Sequence, residues 1–116
     1  MSAITTHILD TARGRPAAGV ALKLDRIPLG APVRTLGSGV TDADGRCRTL
    51  LPANHVLEPG TYRLRFETGP YFEGLGVAAF YPFVEVVFAI GAHQIGEHFH
   101  VPILLNPFGY STYRGS

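Results

Sequence analysis

Residues 98–116 read HFHVPILLNPFGYSTYRGS and predict two strands that are joined by a tight turn. Apolar residues recur at every second position of the first half: Phe99, Val101, Ile103 and Leu105. This alternation is typical of a strand with one buried face, and we place the strand at 97–105. In the turn, residues 106–109, proline and glycine occupy positions that a type I turn favours. A last strand over 110–114 completes the predicted pair.

The same alternation recurs along the rest of the chain, between turns that are rich in glycine, proline and aspartate. Further strands are predicted at 4–9, 20–25, 33–40, 46–50, 61–68 and 84–90. Asp44-Gly45 predicts a hairpin between two of them. One short helix is predicted over 70–79, with Glu73 in its first turn beside the positive end of the dipole. Seven or eight short strands in 116 residues indicate an all-β sandwich, in one domain that spans 1–116.

The composition and the net charge indicate which partners and which compartment the protein is expected to have. Charged residues are 16% of the chain, against about 25% in typical domains, which indicates that part of the surface is buried against copies of the same chain. The net charge of +1 favours neither nucleic acid nor an anionic membrane as a partner. The longest apolar-rich stretch, 77–91, contains Pro82 and Glu85 and is too short to span a bilayer. Cys47 is the only cysteine and the first residues do not resemble a signal peptide, so we expect a cytoplasmic protein.

Three histidines are predicted to lie on outer sheet faces. His98 and His100 alternate with the apolar residues of their strand, so both side chains point away from the sandwich interior. His7 likewise lies opposite Ile4 and Ile8, the core residues of the first strand, on the face that it shares with Thr5 and Leu9. These histidines are either ordinary surface or interface side chains or an acid/base site, since an imidazole with a pKa of ~6.5 exchanges protons near neutral pH.

A metal ion and Arg46 are the other candidates for chemistry at this face. His98 and His100 could chelate zinc on a strand, with His7 as a third ligand. Glu97 lies on the opposite face and completes no such site, so we favour a site without a metal. Arg46, which follows a turn, is either a solvated charge or a rigid fork of donors for a planar, oxygen-rich substrate.

Four blocks of the sequence resemble the 5-hydroxyisourate hydrolases, the enzymatic relatives of transthyretin. They are THILD with GRPA at 6–10 and 14–17, TD with DGR at 41–42 and 44–46, FYP with VEV at 80–82 and 84–86, and HFHVP with YSTYRGS at 98–102 and 110–116. The blocks come in the order found in that family and span nearly the whole chain. The ending Tyr-Arg-Gly-Ser is the most specific, because transthyretins proper lack it. Phe99, Asn106 and Phe108 depart from the family's pattern, but none of them is a predicted site residue.

The resemblance implies a fold, an assembly and a reaction. The fold is a transthyretin-like sandwich of two four-stranded antiparallel sheets with one short helix. The assembly is a homotetramer whose sites lie in a channel between dimers, lined by the outer face of one sheet. The reaction is the hydrolysis of 5-hydroxyisourate to 2-oxo-4-hydroxy-4-carboxy-5-ureidoimidazoline in urate breakdown, and it needs no cofactor because the substrate carbonyl is already activated.

By the same resemblance, the site residues are His7, Arg46, His100, Tyr113 and Ser116. We expect one of the two histidines to act as general base on the attacking water, and the other to hold the substrate or protonate the leaving nitrogen. Arg46 would stabilise the negative charge that develops on the carbonyl oxygen, while Tyr113 and Ser116 would close the pocket. The alternative is a carrier of small ligands without catalysis, because one fold can host unrelated functions.

Overall fold

Nine β-strands and one short α-helix make up residues 2–116, the part of the chain that the computed structural model describes. The strands are β1 (Ile4–Asp10), β2 (Arg15–Pro16), β3 (Ala21–Ile27), β4 (Arg34–Val40), β5 (Arg46–Cys47), β6 (Gly60–Phe66), β7 (Val84–Ile90), β8 (Phe99–Asn106) and β9 (Gly109–Thr112). The helix α1 spans Thr68–Gly74, and a single 3₁₀ turn spans Ala92–Gln94. The strands form two sheets around an apolar core, so the predicted all-β sandwich is confirmed.

The first sheet contains five of the strands. Its order is β2-β1-β8-β9, and β5 pairs with the edge of β1 that β2 also uses. β1 and β8 run parallel, whereas antiparallel pairing was predicted throughout. Parallel pairing is possible because the whole second sheet lies between these strands in the chain and provides the long connection that a parallel pair needs. The second sheet is antiparallel throughout, in the order β4-β3-β6-β7.

The core between the sheets contains most of the residues that alternation predicted to face inward, but Phe88 of β7, which was also predicted to face inward, is only partly buried against the core. The buried residues in and directly before the second sheet are Val20, Leu22, Leu24, Tyr62, Leu64, Phe66, Val84, Val86 and Ile90, and from β8 they are Phe99, Val101, Ile103 and Leu105. Ile4 and Ile8 of β1 have no exposed surface, and Phe72 attaches α1 to the same core. Residues of the opposite parity in β1 and β8 therefore face outward, which places the polar side chains of Thr5, His7 and His100 on the outer surface of the first sheet.

The turn at residues 41–45 joins the two sheets instead of forming a hairpin. β4 belongs to the second sheet, whereas β5 pairs with β1 in the first, so the hairpin predicted from Asp44-Gly45 is wrong. The local chemistry is nevertheless that of a tight turn, because Gly45 has a φ of +75° and its N–H donates to the carbonyl of Asp42 at 2.9 Å. β5 has two residues and is shorter than the predicted strand over 46–50.

The helix begins and ends earlier than predicted. It spans Thr68–Gly74 instead of 70–79, and the chain leaves it at Gly76, whose φ is +70°. The N–H of Gly76 donates to the carbonyl of Glu73 at 3.0 Å. Glu73 therefore lies in the last turn, and its predicted contact with the positive end of the dipole is wrong. Within residues 2–116, no helix is long and apolar enough to cross a membrane.

Candidate active site

A cleft of about 280 Å³ opens on the outer face of the first sheet. It is lined by Thr5, Thr6, Arg46, Arg48, His98, His100 and Ser116. Strand register brings these residues together, because Thr5 stands opposite His100 in the parallel β1–β8 pair. In the antiparallel β1–β5 pair, His7 stands opposite Arg46. Cross-strand neighbours share a face, so residues from distant parts of the chain meet at one place.

His100 is hydrogen-bonded at Nδ1 and can accept a proton near neutral pH. Its Nδ1 lies 2.9 Å from the hydroxyl of Thr5, and the same hydroxyl lies 3.2 Å from Nε2 of His98. The ring is half-buried, and this burial lowers the pKa of His100. Nearby positive charge, from Arg46 first and then from His7 and His98, lowers the pKa of the ring further. The imidazole is therefore neutral at neutral pH, the form that takes a proton from water.

The turn at 41–45 positions Arg46. The Asp42 carboxylate accepts hydrogen bonds from the backbone N–H groups of Asp44 at 2.9 Å and of Arg46 at 3.0 Å. The bond from Arg46 is the main reason that the pKa of Asp42 lies below its usual value, so the carboxylate stays charged and holds the turn. The guanidinium of Arg48 pairs with this carboxylate at 3.3 Å. In the described chain no carboxylate pairs with Arg46, which leaves its guanidinium available to a ligand.

Residues 113–116 fold back against His100. The N–H of Gly115 donates to the His100 carbonyl at 2.8 Å, in an isolated antiparallel bridge between the two residues. A Cβ on Gly115 would lie 2.7 Å from Cδ2 of His100 and 3.2 Å from Cγ of Pro102, so a side chain does not fit against the ring. This close contact places Ser116 in the cleft.

Three of the five predicted site residues line the cleft, namely Arg46, His100 and Ser116. His7 lies beside them, half-buried on the same face, although it is not one of the lining residues. Tyr113 lines a different groove of about 310 Å³, with mostly apolar walls between β7 and residues 112–114. The outward parity of the three histidines is confirmed, whereas a role for Tyr113 in the same site stays a prediction.

Three residues that line the cleft, Thr5, Thr6 and Arg48, were not predicted as part of the site. Alternation placed Thr5 on the outer face beside His7, but the sequence does not show the parallel register that sets Thr5 opposite His100. Arg48 follows Arg46 by two residues, so period-two spacing could have suggested it. Thr5 and Arg48 were missed for the same reason, because the alternation of a strand gives the face on which a residue lies and not its neighbour on the next strand.

The described residues of this face include neither a cluster of metal ligands nor an exposed thiol. Among residues 2–116, no group of three or more His, Cys, Asp or Glu side chains is placed to hold a metal ion. Cys47 faces the core, with 4% of its surface exposed, and burial raises the pKa of its thiol. The titratable and polar side chains of the cleft are therefore imidazole, guanidinium and hydroxyl groups.

The fold and the cleft define a two-sheet β-sandwich protein with a histidine-lined, polar cleft on the outer face of one sheet. The sequence model of the HIUase/Transthyretin family matches residues 4–115, and the chain belongs to this family.

Individual relatives include 5-hydroxyisourate hydrolases and a transthyretin that was solved with thyroxine. The 5-hydroxyisourate hydrolase of Mus musculus is 48% identical over 118 aligned positions, which cover 99% of this chain and 96% of the mouse protein. The solved 5-hydroxyisourate hydrolase of Klebsiella pneumoniae is 41% identical, with a TM-score of 0.81, over 97% of this chain and 98% of that one. A sea bream transthyretin solved with thyroxine is 34% identical, with a TM-score of 0.88, over 98% of this chain and 95% of that one.

Proposed function

We propose that this chain hydrolyses 5-hydroxyisourate to 2-oxo-4-hydroxy-4-carboxy-5-ureidoimidazoline. The observation that carries the proposal is the cleft itself, in which a neutral His100 and an unpaired Arg46 lie together with Ser116. A neutral imidazole can activate water and a guanidinium can stabilise an oxyanion, which are the two tasks in opening an amide-like ring. Full-length similarity to the mouse and Klebsiella hydrolases supports the same conclusion.

In the proposed mechanism, His100 takes a proton from water while the water oxygen bonds to the substrate carbonyl carbon. The π electrons move to the carbonyl oxygen, and the guanidinium of Arg46 donates hydrogen bonds to the negative charge that forms there. When the carbonyl re-forms, the C–N bond breaks and its electron pair goes to the ring nitrogen. His7, which stands opposite Arg46 on the same face, supplies the proton that this nitrogen needs.

We place this reaction in a homotetramer, in which a second copy of the chain completes the cleft. The low content of charged residues, 16%, supports burial of part of the surface. Tyr113 lines a groove outside the cleft, so its contact with substrate would come from a neighbouring copy. Light scattering on the purified protein tests the tetramer.

We also propose that residues 1–116 act as one domain, and that the protein works in the cytoplasm.

A carrier of small ligands is the rival function, and backbone similarity does not exclude it. The TM-score to the sea bream transthyretin, 0.88, exceeds that to the Klebsiella hydrolase, 0.81. The side chains favour the enzyme, because the identity to the hydrolase is 41% against 34% to the transthyretin. A cleft with two histidines and two arginines also suits reaction chemistry better than the binding of an apolar ligand.

The decisive assay generates 5-hydroxyisourate from urate with urate oxidase and follows its loss with and without this protein. We expect loss well above the spontaneous rate, and no effect of an added chelator. Thyroxine titrated by calorimetry provides the carrier arm of the same experiment. Unaccelerated loss of 5-hydroxyisourate would defeat the proposal, and thyroxine binding in its place would establish the carrier.

Gly115→Ala should impair turnover more than folding. The added methyl group would displace either the His100 ring or residues 113–116, and a shift on the order of 1 Å can lower a rate by about 10²-fold. The thermal midpoint should change little, because Gly115 lies outside the core. Gly74→Ala is the control, since a Cβ on Gly74 meets nothing within 4 Å. Steady-state kinetics and thermal unfolding compare the two variants, and equal kcat/KM would show that the close contact is dispensable.

The rate should rise with pH across the pKa of His100, with its midpoint below the usual value of a histidine side chain. A general base works only when unprotonated, and burial, then the charges of Arg46, His7 and His98, lower the pKa of this ring. A lower pKa of His100 moves the fall of kcat/KM on the acid side of the pH profile to lower pH. In Arg46→Gln the pKa should rise, because one positive charge is lost while the burial remains. NMR titration of the His100 ring in both proteins measures this, and identical midpoints would contradict it.

A further inference from the structure

Thr5 connects His100 to His98 through a single hydroxyl group. Its Oγ1 lies 2.9 Å from Nδ1 of His100 and 3.2 Å from Nε2 of His98. Thr5 is 7% exposed and His100 is half-buried, whereas His98 is exposed to solvent. The three side chains therefore form a continuous hydrogen-bonded path along the wall of the cleft, from the half-buried ring of His100 to the exposed ring of His98.

The chemistry of a hydroxyl couples the two rings. A hydroxyl has one proton to donate and can accept a hydrogen bond from a second group. Both partners of Thr5 are imidazole nitrogens, so the ring that does not receive the Thr5 proton has to donate to the Thr5 oxygen. When the hydroxyl reverses its direction, the two rings exchange the roles of donor and acceptor.

We propose that Thr5 is a positioning residue that passes the positive charge formed on His100 to His98 while the tetrahedral intermediate exists. This proposal rests on the proposed hydrolysis and deepens it. At the start, Nδ1–H of His100 donates to Thr5 and the hydroxyl of Thr5 donates to Nε2 of His98. This arrangement leaves Nε2 of His100 without a proton and ready to accept one from water.

The steps conserve protons and electron pairs. The O–H bond of water breaks, its electron pair forms the new O–C bond, and the proton binds Nε2 of His100. The Nδ1 proton of His100 then moves to Thr5, and the Thr5 proton moves to Nε2 of His98, which becomes the charged ring. After product release this shift reverses, and Nε2 of His100 loses its proton to solvent. Solvent returns one proton to His7, which protonated the ring nitrogen, so the sum is one water added across the C–N bond.

Electrostatics gives the direction of the shift. His100 is half-buried, and Arg46 on β5 and His7 on β1 both face it, so a positive charge on this ring is poorly solvated and repelled. His98 is exposed, and water solvates a charge there at lower free-energy cost. The backbone carbonyl of His98 also lies 3.4 Å from the guanidinium of Arg114, which restrains this segment beside the cleft.

The kinetic test separates a proton path from simple packing. Thr5→Val keeps the shape of the side chain without the hydroxyl, and Thr5→Ser keeps the hydroxyl. We expect single-turnover rates to fall by about 10- to 10²-fold in Thr5→Val and in His98→Gln, part of what a general base contributes, and to recover in Thr5→Ser. Rates in mixtures of H₂O and D₂O should curve with deuterium content in the wild type, because several protons move, and become linear in Thr5→Val. Wild-type rates and unchanged curvature in Thr5→Val would overturn the proposal.

A second measurement, an NMR titration of the histidine rings, does not depend on turnover. It therefore tests the proton relay separately from the proposed hydrolysis. In protein with ¹⁵N-labelled histidine, the ring nitrogens should report the same neutral tautomer for His98 and His100, protonated at Nδ1, because Thr5 contacts Nδ1 of one ring and Nε2 of the other, and the titrations of the two rings should be linked. In Thr5→Val the tautomers should no longer be matched and the link should weaken to the through-space repulsion between the two rings, while Thr5→Ser retains the wild-type behaviour. Independent titrations in the folded wild type would overturn the relay even if the protein hydrolyses 5-hydroxyisourate. Linked titrations without hydrolysis would support the coupling of the rings and count against the proposed function alone.

Discussion

His100→Asn should lower kcat by about 10²–10⁴-fold, the range that a general base contributes. Asparagine can keep a hydrogen bond to Thr5 at the place of Nδ1, but it has no second nitrogen to take a proton from water. The loss should therefore affect kcat more than KM, because the base acts in the transition state and contributes little to substrate binding. Initial rates with enzymatically generated 5-hydroxyisourate measure both constants.

The matched control for this experiment is His93→Gln. His93 is an exposed histidine in the 3₁₀ turn and lies outside the cleft, so its loss removes an imidazole without touching the site. We expect wild-type kinetics from this variant. Thermal unfolding of both variants shows whether the sandwich is intact, since His100 faces outward and contributes little to the core. A folded His100→Asn protein with wild-type kcat would remove this residue from the mechanism.

Arg46→Gln should lower kcat by about 10²–10³-fold, comparable to the loss of one oxyanion donor in other hydrolytic sites. The guanidinium has no carboxylate partner among the described residues, so its removal leaves no buried charge unpaired and folding should be retained. Arg46→Lys should restore little activity, because an ammonium lacks the planar fork that binds a carbonyl oxygen and a neighbouring ring atom together.

Arg34→Gln is the control for the loss of an arginine. Arg34 lies in β4 of the second sheet, and within residues 2–116 its guanidinium pairs only with Glu58, at 3.9 Å and exposed to solvent, so we expect no change in turnover. Comparing kcat/KM of the Arg46 and Arg34 variants isolates the effect of the charge in the cleft. Full activity in Arg46→Lys would indicate that only the positive charge is needed, and equal activity in all three variants would exclude Arg46.

Strand alternation predicted the face of each histidine correctly, because the side-chain period of a strand is independent of its partners. It gave His7 and His100 outward positions, and it gave Phe99 and Ile8 inward ones. The position of Arg46 beside His7 could not be derived in this way. It depends on the turn at 41–45 crossing between the sheets, and Asp-Gly chemistry specifies a tight turn without specifying which strand comes next to it.

The contact between Thr5 and His100 shows the same limit more clearly. Both residues were placed on outer faces, but their side chains meet only because β1 and β8 are parallel and in one register. A shift of the register by two residues would leave every side chain on the same face of the sheet, but it would separate the hydroxyl of Thr5 from the ring of His100. The helix boundary failed for a different reason, since the positive φ of Gly76 ends α1 before Pro82 can act.

The parallel pairing of β1 with β8 also has a consequence for the order in which the protein acquires activity during synthesis. The first strand of the chain contributes Thr5, but its neighbour His100 is made only when most of the chain already exists. Contacts between such distant residues close slowly, because a large loop loses its freedom before they form. A nascent chain can form the second sheet while β1 still has an unpaired edge. Hydrolysis should therefore appear only after β1 and β8 have paired, and a ribosome stalled before residue 99 should carry no activity.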